Sequence, residues 1–550
     1  ISPQGMLYVP ATGDISDDVL KQYGNYYLYD FHHRLIEKRI AGTEPREYVY
    51  DKLGRLILTR DSSQRKINEW TLTKYDKKGN KIQEGTVTSS DSRNTMQSLY
   101  GDSLIEEDFI KNANIAESQM LYTDKTGPRG FKPYMAWYYD NYEFTLDKNF
   151  NKVPGFTTTS SLPSTGLCTG SAQLCNNSVW FTKIEYDYRG LPIYECTYDL
   201  FENDSRITKC YEYDYRGNLV TKYEKVEDMI EGTVIDSRYA IWKYTLDAAD
   251  RIKFISLSVN GNPFKQIQQN EYDEIGRLKA VTSGVKTEYT YDVQSNIVQI
   301  MSPHYVQKLY YAQNPFNSEN VCYDGNVCAS TQAYRDEELQ VTDNYDYHYD
   351  ALGRLSSAIT TDKMVKELSE YDLNSNILSL QRYFDGSKVQ DAVMEYDGNK
   401  IITVNDVSEP RNKEYIPSFF SGNYSRTYMS NGNLYSDETR GITSISYNKI
   451  NLPKKINFDN GNSVTTDYMP DGTLMHRSFN SRVLQTTIKV NPVTGDTIVR
   501  QRYVTQSEIH KYRGDFECIG NKWRLHTETG FYDISSNQNH YYIKDNQGSI

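Results

Sequence analysis

Tyr50-Asp51-Lys52-Leu53-Gly54-Arg55-Leu56 decides how this chain folds, because the phrase returns as Tyr272-Asp273-Glu274-Ile275-Gly276-Arg277-Leu278 and as Tyr349-Asp350-Ala351-Leu352-Gly353-Arg354-Leu355. Looser copies begin at Tyr29, Tyr75, Tyr186, Tyr213, Tyr291, Tyr371, Tyr396, Tyr428 and Tyr468. Asp at the first and Gly at the fourth position is the preference of a type I turn. The carboxylate accepts from backbone N–H groups further round the bend. Gly supplies the left-handed conformation of the bulge that returns the chain to strand pairing. The flanks, such as Tyr213 to Glu224 and Ile442 to Asn448, alternate and are rich in Tyr, Val, Ile and Thr. Each unit therefore reads as a β-hairpin. Its structural residues are Tyr50, Asp51, Gly54 and Arg55; Tyr75, Asp76 and Gly79; Tyr186, Asp187 and Gly190; Tyr213, Asp214 and Gly217; Tyr272, Asp273, Gly276 and Arg277; Tyr349, Asp350, Gly353 and Arg354.

Successive phrases lie about twenty residues apart, room for two strands and two turns; Tyr272 to Tyr291 is 19 and Tyr349 to Tyr371 is 22. A lone hairpin is marginal, so neighbours must supply the core. The recurring position predicts that the tyrosines line up across adjacent hairpins, each cross-strand pair contributing about 0.2–1 kcal/mol. The apolar share is 38%, and 49 residues are Tyr, whose ring packs while its hydroxyl stays wet. Such a composition suits a sheet with water near both faces better than a globule of 550 residues. A net charge of −12, with both signs interspersed, argues against nucleic acid. No apolar run approaches the roughly 20 residues of a membrane helix. The chain opens at Ile1 inside a polar stretch and reads as processed or excerpted, so the missing signal peptide carries no weight.

Repeats are expected over 1–87, 181–301 and 346–500, with non-repeat insertions at 88–180 and 302–345. The first insertion holds Leu104 to Met120, which predicts a minor helix, and then a Ser/Thr/Gly-rich loop. Inside the array, Ser295 and Ser375 stand where Gly is expected. Leu246-Asp247-Ala248-Ala249-Asp250-Arg251-Ile252 lacks Tyr and Gly, and Tyr447-Asn448-Lys449-Ile450-Asn451-Leu452-Pro453 has Asn for both Asp and Gly.

The seven cysteines include two close pairs, Cys168 with Cys175 and Cys322 with Cys328. Either pair could close a disulfide loop in an oxidising compartment, and reduced loop thiols are the alternative. Neither has a second pair at zinc-finger spacing, so no metal is expected. Gly166-Leu167-Cys168-Thr169-Gly170 has the spacing of a nucleophile elbow but sits in a small-residue loop without the strand and helix that motif needs. His32-His33 lies in the first turn, where solvated histidines are common. Turn capping accounts for the phrase aspartates without calcium. There is no phosphate loop, His-Glu-x-x-His or Rossmann fingerprint, so no catalytic residue and no cofactor is assigned.

The phrases, in this number and order, resemble those of the RHS/YD-repeat proteins, which include bacterial RHS toxins, the B and C components of insecticidal toxin complexes, and teneurins. Tyr29 to Lys38 followed by Tyr50 to Leu56 resembles the Bacteroidetes-type members. So do Tyr428 to Leu474, Thr165-Gly166-Leu167 and Tyr323-Asp324-Gly325-Asn326. Tyr541 to Ile550 is similar to the opening of the RHS-associated core region, with Asn546-Gln547 departing from the usual His-Leu, so 501–550 is read as the start of that region. The family's self-cleaving aspartate motif and variable toxin lie further on and map to no residue here. The resemblance implies an all-β array whose long antiparallel sheet spirals into a partial shell around a C-terminal cargo.

On this reading the chain is a non-enzymatic scaffold that encapsulates or presents a C-terminal polymorphic toxin for interbacterial competition, secreted or at the bacterial surface. Its implied partners are that effector, the downstream core region, an immunity protein and secretion machinery. One rival is a cell-surface adhesion or glycan-binding module, with surface glycans as partner. The other is an enzyme on a β-propeller, since two hairpins make one blade. The C-terminal Gly548-Ser549-Ile550 predicts no dedicated cap, an open edge and self-association.

Overall fold

Among the described residues every strand is hydrogen-bonded, antiparallel, to its neighbours in sequence, through 37 strands from Tyr26–Tyr29 to Gln538–Tyr541. The computed structural model describes residues 2–9, 15–111, 119–144, 153, 164–175, 178–199, 205–230, 233–335, 340–407, 422–490, 497–545 and 547–548. Among the described residues no pairing joins the first strand to the last, so the sheet is open. Short turns at alternate ends suffice for such a meander, because antiparallel neighbours need no crossover. A propeller would cut the sheet into separate blades. The pairing runs on without such breaks and corrects that reading. No helix of the described residues is long and apolar enough to cross a membrane.

The meander winds back on itself. Gln22, before the first strand, donates from Nε2 to Asp397 Oδ1 (2.8 Å) at the end of the twenty-fifth strand, Ser387–Asp397. At about 4.8 Å per strand, that turn has a circumference near 120 Å and is roughly 40 Å across. The remaining twelve strands begin a second turn, packed against the first.

Segments 88–180 and 302–345, expected as insertions, both feed strands into the sheet. Lys132–Asp140 pairs with Lys81–Thr88 and with Ser164–Cys175. Tyr305–Tyr310 pairs with Ala329–Arg335. The helix of the first segment is Arg93–Tyr100, started by Ser92, whose hydroxyl accepts from Thr95 N–H. It is not Leu104 to Met120: there Glu106 bridges Tyr75 and Phe109 bridges Tyr122, and 112–118 lie outside the described residues. This flap buries Met96, Ile105 and Phe131 on Val49, Ile57, Leu58, Trp70, Leu72 and Val87. A single sheet otherwise offers each face to water. Here the flap supplies the second layer that a core needs.

Candidate functional site

The wall of the spiral is the part of this molecule that could act, and it is built from the repeat upward. In the first full phrase Asp51 N–H donates to Arg55 O (3.0 Å) and Gly54 N–H to Asp51 O (2.9 Å). Asp51 Oδ1 accepts from the N–H groups of Leu53 (3.0 Å) and Arg55 (2.9 Å), and Arg55 Nε donates to Oδ2 (2.7 Å). The register slips between Val49 and Tyr50, setting Tyr50 opposite Leu56. Asp273 with Arg277 and Asp350 with Arg354 repeat the arrangement. At Asp76 and Asp214 an Asn four residues on, Asn80 and Asn218, replaces Arg, and at Asp187 the guanidinium comes from Arg189. Gly79, Gly190, Gly217, Gly276 and Gly353 share the positive φ of Gly54. At Gly54 (φ 76°) an added Cβ would meet only the Arg34 side chain, Cδ at 3.8 Å and Nη1 at 3.9 Å. Gly54→Val should therefore cost about 1–2 kcal/mol through backbone conformation alone. Unchanged amide exchange around the turn would disprove that cost.

Several turn carboxyls, those of Asp30, Asp187, Asp214, Asp247, Asp273, Asp292 and Asp350, sit below the ordinary carboxylate value. At Asp350 the cause is first the Arg354 side chain and then its backbone N–H; Asp247 is held the same way by Arg251. At Asp273 desolvation pushes upward and is outweighed by Arg277. Groups depressed in the folded chain contribute fully above the unfolded value of about 3.9, and the contribution is lost as pH falls through the folded values. The turns should loosen together as pH falls through a window that opens at about 4 and runs below it. Equal protease resistance at both ends of it would count against this role.

Hairpins are tied to one another by Tyr and Arg. In most of the phrases the tyrosine donates its hydroxyl to the carbonyl of the residue that opens the second strand of the preceding hairpin. Tyr50 reaches Leu35 O (2.7 Å), Tyr75 Leu56 O (2.8 Å), Tyr213 Pro192 O (2.9 Å), Tyr272 Ile252 O (2.9 Å) and Tyr371 Leu355 O (2.7 Å). The preceding Arg lies over the same ring: Arg34 on Tyr50 at 4.9 Å, Arg55 on Tyr75 at 4.7 Å, Arg251 on Tyr272 at 4.3 Å, Arg277 on Tyr291 at 4.6 Å and Arg354 on Tyr371 at 4.7 Å. The tyrosines thus align from hairpin to hairpin, but with a guanidinium between them rather than as stacked aromatic pairs. Tyr186 and Tyr349 make the hydroxyl contact without the Arg, to Cys168 O and Val327 O. Tyr139, in the segment without a recognisable phrase, also makes it, to Lys81 O (3.1 Å). Burial raises the Tyr349 hydroxyl to about 12. Tyr272→Phe should cost about 0.5–1.5 kcal/mol, read as faster exchange in strands Ile252–Val259 and Lys265–Tyr272.

Where Gly is missing, the replacement side chain is bonded to the adjacent hairpin. Ser295 (φ 70°) and Ser375 (φ 69°) accept from Arg277 (3.2 Å) and Arg354 (3.3 Å), and Asp250 (φ 61°) accepts from Arg216 (2.6 Å). His33 occupies the same left-handed position, so the His32-His33 pair belongs to the first turn.

All seven cysteines are free thiols. Cys168 and Cys175 lie on one extended strand, Ser164–Cys175. Seven residues of strand separate them by roughly 23 Å, beyond any disulfide, which corrects that pairing. The same strand holds Gly166 to Gly170, with Gly166 at φ 84° and register shifts on either side of Tyr139, and it runs on as strand rather than helix after Cys168, so no elbow forms. Cys328 donates its thiol to Tyr311 O (2.8 Å); the neighbouring Cys322 is raised to about 11, by burial first and the Cys328 thiol second.

The seam between the two turns joins residues far apart in sequence. Repeat tips late in the chain seat on its early part: Asn374 Oδ1 accepts from Gln4 N–H (2.8 Å) in the short helix Pro3–Met6, Ser430 O from Glu44 N–H (2.8 Å), and Lys449 donates to Thr86 Oγ1 (3.0 Å) in strand Lys81–Thr88. Asp471 and Gln173 exchange two bonds, Gln173 Nε2 to Asp471 Oδ2 (3.0 Å) and Asp471 N–H to Gln173 Oε1 (3.1 Å). From there the second turn overlaps the face of the first. Met469 and Met475 bury against Cys175 and Trp180; Phe516, Trp523 and Leu525 bury against Val226, Trp242 and Leu257. Arg513, wholly buried, joins both turns. It donates to Ser205 Oγ (2.9 Å) on the first and to Met475 O (3.1 Å) on the second, meets His476 Nε2 (2.7 Å), and lies over the Trp180 ring at 5.4 Å. A cleft of about 310 Å³ lies in this seam, with Lys132, Tyr134, Lys449, Lys454 and Tyr468 among its walls. None of these seam residues stands out in the repeat pattern, because none belongs to the phrase's Tyr, Asp, Gly or Arg positions except Tyr468.

No protein-family signature matches the sequence, and no curated protein matches it. Among solved structures the chain is similar to the crystal structure of TcdB2-TccC3-Cdc42, with a TM-score of 0.60 at 12% identity, covering 98% of this chain and 26% of that one. It is also similar to the crystal structure of TcdB2-TccC3, with a TM-score of 0.57 at 12% identity over 94% of this chain and 25% of that one. The Tc holotoxin pore of Photorhabdus luminescens gives 0.57 at 13% identity, over 94% and 24%. The chain spans about a quarter of the length of these structures, and at such identity the likeness is one of fold. Over nearly its whole length, the open antiparallel sheet of this chain has the fold found in the TcdB2-TccC3 structures.

Proposed function

We propose that the chain is a non-catalytic wall segment of a repeat-sheet shell that encloses a C-terminal effector carried by the longer protein, for competition between bacteria. The protein would act secreted or at the cell surface. One observation carries this reading: the sheet closes a turn roughly 40 Å across and seals that turn against the next, as a container wall must. The fold shared with a toxin complex supports it, as do repeat phrases that resemble those of RHS proteins. The Tyr–Arg lattice suits the task, because many small ties give a stiff wall without a solid core. The test is limited proteolysis of the full-length protein. An enclosed effector should resist trypsin while the shell is intact and become sensitive when the seam is broken by Arg513→Ala. Digestion at the same rate in both proteins would reject enclosure.

A further inference from the structure

Phrase tyrosines tie each hairpin to the one before, and the last of them, Tyr468, departs from the rule. Tyr396, Tyr428 and Tyr447 donate their hydroxyls to Ile377 O (2.7 Å), Ile401 O (3.1 Å) and Leu434 O (2.6 Å). For Tyr468 the matching acceptor would be the carbonyl of Pro453, which opens strand Pro453–Phe458. Among the described residues the Tyr468 hydroxyl makes no hydrogen bond, and the position that elsewhere lays an Arg on the ring is Leu452. The ring instead forms part of the seam cleft of about 310 Å³. Two lysines of that cleft, Lys132 and Lys454, are exposed and have no carboxylate or hydrogen-bond partner among the described residues. Lys449 beside them is already engaged, by Thr86 Oγ1 (3.0 Å) and by Glu69 (3.8 Å). Asp467 brings one carboxylate to the cleft, and Met469 and Pro470 an apolar wall.

A lone lysine on an open surface is solvated and asks for no partner. Cations gathered in one cleft are different, because its low-dielectric walls focus their field and raise the local concentration of anions. We propose that this cleft binds a carboxylated sugar. Lys132 and Lys454 take the carboxylate through charge-assisted hydrogen bonds. Asp467 accepts from ring hydroxyls, and the Tyr468 hydroxyl, able both to donate and to accept, pairs with another. The apolar face of the ring lies on Met469 and Pro470. The cleft sits at the lower end of the roughly 300–1,000 Å³ usual for small-ligand sites, which suits one or two sugar rings. Lys132 comes from the first turn and the other groups from the second, so a bound sugar bridges the seam. The site rests on the seam geometry and not on the enclosure of an effector, so each can fail without the other.

Saturation-transfer NMR titrations of the full chain at low salt test this, with glucuronate as the probe and glucose, acetate and inorganic phosphate beside it. Glucuronate should bind, and glucose and acetate about tenfold more weakly, because each lacks half of the recognised chemistry. Lys132→Gln with Lys454→Gln should weaken glucuronate about tenfold and remove most of the salt dependence. Tyr468→Phe should weaken it several-fold, yet leave hydrogen exchange in Pro453–Phe458 and Ser463–Tyr468 unchanged, unlike Tyr272→Phe in its own strands. With glucuronate bound, an oligosaccharide containing it that competes points to a glycan as the source, and one that does not points to the free sugar acid. Acetate or phosphate binding as tightly as glucuronate would overturn the proposal, since the cleft would then hold any anion. So would equal binding of glucose, no binding of glucuronate, or glucuronate binding unchanged by the double lysine variant. Faster exchange in both strands of Tyr468→Phe with unchanged binding would return that residue to the hairpin lattice and overturn it as well.

Discussion

Arg513→Ala should open the spiral at its second turn while leaving the first strands intact. The guanidinium donates to both turns at this point, and alanine takes the charged donor from Ser205 Oγ and Met475 O inside a closed seam. Buried acceptors stripped of a charged donor cost about 3–5 kcal/mol in all. A repeat array is not one cooperative unit, so the loss should be local. Hydrogen exchange should rise in Ser178–Tyr186, Ser205–Tyr213 and Leu474–Val490, and stay unchanged in Arg46–Tyr50 and Leu56–Arg60. Arg513→Lys keeps the charge but not the planar fork and should recover only part of the protection. Native protection throughout the alanine protein would show that the seam does not depend on this residue.

Lys74→Met should release the flap. Lys74 is fully buried, and its ammonium contacts Glu107 (2.9 Å), also fully buried, and Asp124 (2.6 Å). Burial alone would raise the Glu107 carboxyl, but donors from Lys74, Thr123 and the backbone of Lys125 and Thr126 outweigh it and hold the group below its usual value. Removing the cation leaves a buried carboxylate without its partner charge, at about 3–5 kcal/mol. The expected readout is new protease cleavage between 101 and 131, with the repeat hairpins of 186–301 untouched. Lys74→Met with Glu107→Gln should restore part of the loss, since the neutral amide can still accept from Thr126 N–H, now 2.8 Å from Glu107 Oε1. A double variant as loose as the single one would mean that Lys74 acts by packing on Phe131, 4.7 Å from its ammonium, rather than by charge.

The hairpins were legible because a turn is a local object. Asp, Gly and Arg stand within five residues of one another, and the carboxylate that starts the turn is also the acceptor that closes it. Tyr139 escaped because its hairpin closes through Asp140 and Gly166, whose N–H donates to Asp140 Oδ1 (2.6 Å) across an intervening excursion. Strand Ser164–Cys175 escaped because Ser, Thr and Gly also mark loops; only its pairing with Lys132–Asp140 and Ser178–Tyr186 makes it extended. That single fact moves Cys168 and Cys175 from a loop that could close to the two ends of a strand that cannot.

Local chemistry therefore determined from sequence that this protein is a β-hairpin array with capped turns and aligned tyrosines. What stands between those tyrosines, and where the array closes, needed the tertiary structure. An Arg can reach a ring only when two hairpins lie side by side, and the seam joins residues hundreds of positions apart, as Gln173 with Asp471, 298 apart, and Gln4 with Asn374, 370 apart. No periodicity records such a meeting. It depends on the twist accumulated over some twenty-five strands, a sum of small angles that no single repeat carries.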